Sequence, residues 1–199
     1  MKMKYVMVNL FIALFIFVTP LHAAHIGSVF HDYGIGKYES AEGSNPLYDD
    51  YIKIYDGLFV NSFSDVFDFS GMSFKSIDRM NLTLKFSSTN DSFLFWKENW
   101  KVRPATSHTE ATNTLFDMTN TNDIMELSFV FTGDNLDIFS QLIDQKAFYL
   151  WFAEESIGIH NFQLYSANLD LYGTPIPEPD ALLLLGLGLF GIIAIRKKF

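Results

Sequence analysis

A period of two governs this chain. Met80, Leu82, Leu84 and Phe86 alternate with Asn81, Thr83 and Lys85. Successive side chains on a strand point to opposite faces, so this run predicts a half-buried β-strand. Between residues 124 and 131 the pattern returns, with Met125, Leu127, Phe129 and Phe131 on one face and Glu126 and Ser128 on the other. Phe148, Leu150 and Phe152 alternate with Tyr149 and Trp151, so that run is apolar on both faces and reads as a central strand. Ala167, Leu169 and Leu171 alternate with Asn168 and Asp170, whereas Phe162 and Leu164 keep the opposite parity. A bulge near Tyr165 reconciles the two. Shorter candidates lie at 51–55, 66–69 and 93–96. Turn-forming clusters at 42–46, 87–91, 106–114, 119–123 and 133–135 separate the runs. Only Leu136, Phe139, Leu142 and Ile143 suggest a helical face, of three turns at most. Many short strands without a βαβ rhythm predict an all-β domain, an antiparallel sandwich or jelly roll, over residues 24–173.

Both ends break this pattern. Lys2 and Lys4 precede an apolar run from Val6 to Val18, interrupted only by Asn9, and Thr19, Pro20 and the small Ala23 follow it. A basic start, an apolar stretch and a small-residue exit mark a secretory signal peptide, residues 1–23, cut by signal peptidase after Ala23. Cutting after Ala24 would place the bulky His22 three residues before the bond. The apolar run is about 13 residues, short of the roughly 20 needed to span a bilayer as a helix. An uncleaved N-terminal anchor is the other reading of this segment.

Residues 174–199 form the second appendage. Gly173-Thr174-Pro175-Ile176-Pro177-Glu178-Pro179 predicts a stiff, extended linker, because each proline fixes its own φ and biases its predecessor away from helix. Residues 181–195 then carry no polar side chain, and Arg196, Lys197 and Lys198 follow. Fifteen residues of helix rise about 22 Å against a hydrocarbon core of about 30 Å, so snorkelling by the terminal bases and local thinning must close the gap. The basic tip stays cytoplasmic and leaves the body on the far side, the side that the signal peptide also demands.

Stripped of both ends, residues 25–178 hold nine bases and 22 acids, a net charge of −13. Such a body repels phosphate backbones, which excludes nucleic acid as a partner, and it tolerates cations or neutral sugars. The absence of cysteine removes thiol chemistry, Cys-ligated zinc and attachment through a lipidated cysteine.

Taken together, the Pro177-Glu178-Pro179 core, the apolar helix at 181–195 and the basic Arg196-Lys197-Lys198 terminus resemble the PEP-CTERM sorting signal. The resemblance covers about the last 25 residues, with Asp180 where a small residue more often follows the core. It implies processing by an exosortase, a membrane cysteine transpeptidase-like enzyme that reads the motif and removes the helix. It also implies an N-terminal signal peptide, a variable and often β-sandwich body, a Gram-negative-type envelope, and association with exopolysaccharide and biofilm matrix. The body would be held briefly at the inner membrane, facing the periplasm, and then pass to the outer surface or the matrix. A plain C-terminal membrane anchor is the competing reading, since composition does not separate a retained tail from a cleaved one.

Within the body no catalytic constellation stands out. His25, His31, His108 and His160 are scattered without metal-ligand spacing and read as surface or turn residues. Glu154 and Glu155 are adjacent, so on a strand they point to opposite faces and do not converge on one bond. Asp49-Asp50 and the turn at 133–137 read as turn and cap residues, so no cofactor is expected, a structural Ca²⁺ at such turns being the alternative. Trp96 and Trp100 flank the polar corner Lys97-Glu98-Asn99 and are the candidates for stacking on a sugar ring. Packing at the end of the core is the competing role. The sequence therefore predicts a non-enzymatic exported protein, with a secreted carbohydrate-binding module as the alternative.

Overall fold

The structure is a computed structural model that describes residues 23–38, 45–56, 63–90, 92–93, 96–155 and 160–176. Both predicted membrane-seeking segments and the Pro177-Glu178-Pro179 core lie outside those residues. Among the described residues no helix is long and apolar enough to cross a membrane.

The described chain forms eleven strands and one helix. In order they are β1 (Ala24–Asp32), β2 (Ile52–Asp56), β3 (Ser64–Asp68), β4 (Phe74–Ser87), β5 (Ser92–Phe93), β6 (Trp96–Lys97), β7 (Trp100–Ala105), β8 (Phe116–Asp117), β9 (Met125–Phe131), α1 (Phe139–Gln145), β10 (Ala147–Glu154) and β11 (His160–Pro175). All pairings between them are antiparallel. One sheet runs β1-β11-β4-β9, with β2 also on β11, and a second runs β3-β10-β7-β8. The strand predicted to be central, β10, lies between β3 and β7, as its two apolar faces demand.

Strand β11 organises the first sheet. Its outer half pairs with β2 and its inner half with β1, both on one edge, while β4 follows its other edge. The register against β4 slips between Leu164 and Ser166. This is the bulge at Tyr165, whose carbonyl accepts the Tyr33 N–H at 2.8 Å. One extra residue there turns Phe162 and Leu164, as well as Ala167, Leu169 and Leu171, toward the core, and all five are fully buried.

Aromatic rings join the two sheets. Phe162 meets Phe86 of its own sheet and, from the opposite sheet, Trp100 at 4.7 Å and Phe152 at 4.9 Å between ring centres. At the other end of the core Phe131 stacks on Phe148 at 5.4 Å and meets Phe116 edge-on. Edge-to-face contacts of this kind add to the gain from burying the rings.

On the outer face of the first sheet, register aligns side chains into rows. Phe30, Asn168, Thr83 and Ser128 form one row, and Asp32, Ser166, Lys85 and Glu126 the next.

Candidate functional site

The two ends of the body meet. Ala24 pairs with Gly173, and β11 stops at Pro175, two residues further on, so the first three residues of the predicted linker, 173–175, belong instead to a strand paired with β4. Ala23 is exposed immediately before β1. Gly173 sits where β4 and β11 shift register, and a side chain there would collide with the Ser76 carbonyl oxygen. The glycine thus permits the close approach that keeps β11 paired up to the start of the tail. Residues before Ala23 and after Ile176 therefore join the body at one end of one sheet.

The corner between Trp96 and Trp100 is fastened from its Trp100 end. Trp100 is 1% exposed, with its ring against Phe162 and its carbonyl accepting the Met118 N–H, so it is a core residue unable to stack on an external sugar. Trp96 pairs with Phe93 in the short β5–β6 ladder. Between the two, Glu98 turns inward at 1% exposure, lies 3.3 Å from His160 Nδ1 and accepts the Asn161 N–H. Asn99 donates its backbone N–H to Glu154 and its side-chain amide to Glu155. The adjacent carboxylates do converge, but on Asn99, where they fasten the β6–β7 corner to the end of β10.

Beside this corner lies a hollow of about 270 Å³ walled by Tyr55, Phe63, Trp100, Arg103, Trp151 and Glu154, among others. The indole N–H groups of Trp100 and Trp151 have no acceptor among the described residues.

The turn carboxylates are engaged locally. Asp137 accepts the Thr112 hydroxyl and its neighbour's N–H, Asn135 accepts the Thr132 N–H, and Asp50 lies 3.4 Å from Lys37. Among the described residues no group of three or more His, Asp or Glu is placed to hold a metal ion.

Two histidines expected at the surface are buried instead, His31 at 7% and His160 at 2% exposure. Strand parity turns His31 into the sandwich while its neighbour Asp32 faces out toward Lys37 at 3.3 Å. There His31 Nδ1 lies 2.7 Å from a carboxylate oxygen of Asp65, a fully buried residue of β3. The same carboxylate accepts the hydroxyls of Tyr33 and of Tyr38, the latter at 2.8 Å. The His31 ring is stacked between Tyr38, at 3.6 Å, and Phe67, at 4.4 Å. Burial, then the Asp65 charge, holds the Tyr33 phenol well above its ordinary pKa, and the same causes raise that of Tyr38, so both remain donors to the carboxylate. This network ties β1 of one sheet to β3 of the other. The sequence offers no signal for it beyond an odd polar residue at an inward position, because its members are 27 to 34 residues apart.

Residues 175–198 match the PEP-CTERM protein-sorting motif. No curated protein matches the chain in sequence. In fold the chain is similar to a xylan-binding module CBM15, at 6% identity and TM-score 0.47, over 77% of this chain and 97% of that one. It is also similar to the Clostridium thermocellum xylanase 10B CBM22-1–GH10 structure complexed with xylohexaose, at 10% identity and TM-score 0.41, over 79% of this chain and 30% of that one. A third likeness is to a CBM4 structure, at 13% identity and TM-score 0.34, over 74% and 86% of the two chains. Likeness at this level says nothing about what the chain binds.

Proposed function

We propose that this chain, whose last residues carry a PEP-CTERM sorting motif, is an exported, non-catalytic envelope protein processed by an exosortase. The general export machinery delivers the β-sandwich across the inner membrane, and signal peptidase removes residues 1–23 after Ala23. The apolar run at 181–195 then halts translocation, with Arg196, Lys197 and Lys198 on the cytoplasmic side. Pro177 and Pro179 keep their segment out of the helix and extended at the outer membrane surface, where Glu178 offers a charge for the processing enzyme to read. Released, the body reaches the outer surface or the extracellular matrix and works beside exopolysaccharide.

One observation carries this reading: the pairing of Ala24 with Gly173 brings both appendages out at the same end of the body. Two apolar segments leaving side by side can enter one membrane without straddling the sandwich, so export by the first and arrest by the second are compatible with a folded body.

The sequence contains no cysteine, which gives a clean test. Thr109 is exposed in the loop after β7. A Thr109→Cys chain is expected to react with a membrane-impermeant maleimide in intact spheroplasts. Labelling that appears only after lysis overturns the proposal.

A further inference from the structure

On the outer face of the first sheet lie two adjoining hollows, of about 400 and 510 Å³, that share Phe30, Lys85, Glu126 and Ser166. Phe30 of β1 rises on one side, and Ile124, just before β9, and Glu126 of β9 rise on the other. Between them Ser166 and Asn168 of β11 and Thr83 and Lys85 of β4 form the floor. Three strand spacings separate the walls, about 14 Å, which leaves room for one polymer strand. We propose that this face is a binding groove for an extended neutral polysaccharide.

Phe30 is the first reason. It is 61% exposed in a row whose other members are Asn168, Thr83 and Ser128. An apolar ring standing over a polar floor suits a ligand with one apolar and one hydrogen-bonding surface, as a pyranose has: its C–H face covers the ring while its hydroxyls reach the floor. The second reason is the chemistry of the floor and of the wall at Glu126. An amide gives and accepts, the Glu126 carboxylate accepts, Lys85 donates and the Ser166 hydroxyl does both, which complements a ligand made of hydroxyls.

Charge and topology exclude the competing occupants. Asp32, Asp50 and Glu126 outnumber Lys37 and Lys85 here, and Lys37 already lies 3.3 Å from Asp32 and 3.4 Å from Asp50, so a polyanion is repelled. A peptide adding as a strand needs a sheet edge, and the backbone beneath this face is already paired on both sides in β4 and β11. Tyr165, beside the groove, lies ten residues up β11 from Pro175, roughly 30 Å from the end where the tail departs. A body held at the membrane would thus present the groove outward, and in that respect the groove rests on the proposed export.

Affinity electrophoresis of the full chain in mild detergent tests this, with gels containing hydroxyethyl cellulose, arabinoxylan or galactomannan, and alginate as the anionic polymer. At least one neutral polymer is expected to retard the wild type. Phe30→Ala and Asn168→Ala are expected to weaken that retardation about tenfold, while Phe30→Tyr and Trp151→Ala preserve it. Both weakening substitutions are on the outer face, and unchanged thermal melting confirms that the fold is intact. Four results overturn the groove: no retardation by any neutral polymer, preferential retardation by alginate, unchanged binding in Phe30→Ala, or a loss confined to Trp151→Ala, which moves the ligand to the hollow beside Trp100. A dimer that Phe30→Ala dissociates, without glycan binding, assigns the face to a second copy and also overturns it. Retardation is read on purified chain whatever becomes of the tail, so a failure here and a failure of sorting remain separate results.

Discussion

Asp65→Ala is expected to cost about 3–5 kcal/mol of folding stability, the range for removing one partner from a buried charged network. The carboxylate is fully buried and gathers three side-chain donors, His31, Tyr33 and Tyr38, as well as the Val66 N–H. Removing it leaves the buried Tyr33 hydroxyl and His31 ring with neither protein nor water to receive them, and each such orphan costs about 1–3 kcal/mol. Asp65→Asn retains one acceptor oxygen and is expected to cost less. Urea unfolding of the three proteins, followed by tyrosine and tryptophan fluorescence, measures the difference. A loss below about 1 kcal/mol for the alanine variant means that the network contributes little to joining the sheets.

Phe162→Ala is the second large loss, again about 3–5 kcal/mol, but for an apolar reason. Its ring is fully buried and touches Phe86, Trp100 and Phe152, so it contacts both sheets at once. Truncation removes the transfer gain of the ring and leaves a cavity that three rigid neighbours cannot collapse into. For a domain of this size the melting temperature should fall by roughly 10 °C or more. A fall of only two or three degrees means that the neighbouring rings repack, and that the sandwich is less rigidly joined at this end than the contacts imply.

These two residues also show what is legible in the sequence. Phe162 lies in a run whose parity is plain, and the change of parity at Tyr165 is enough by itself to announce the bulge. β4, β9 and β10 are legible for the same reason: each has one apolar face, or two, at strict spacing. β1 is hidden because a register shift between His25 and Gly27 interrupts its alternation and because one inward position is the polar His31. β7 is hidden because Pro104, which cannot donate to a ladder, sits within it, in register opposite Leu150. Asp65 is invisible, since a buried carboxylate looks like any surface one until its three distant donors are brought to it. Trp100 is open to both core and sugar roles in the sequence, and burial decides for the core. Phe30 gives no signal, because a single apolar residue near a strand end is ordinary until its neighbours across three other strands prove to be polar.

The tail lies at the opposite extreme. Its proline core, apolar run and basic tip are local in sequence and need no fold to be recognised, and the match at residues 175–198 rests on them alone. What the fold adds is its point of departure: paired strand as far as Pro175, next to the first residue of β1. Five residues, 176–180, separate that paired strand from the apolar run at 181–195, so on the proposed sorting route the body would stay near the membrane until the tail is cut.

Intact mass spectrometry of the native protein, from cells with and without the exosortase, decides whether that cut occurs. With the enzyme present the chain should begin at Ala24 and end before the apolar run at 181–195. Without it, the same start should be joined to a C-terminus at Phe199. A chain ending at Phe199 in both strains would make the tail a permanent anchor and remove sorting from the protein's function.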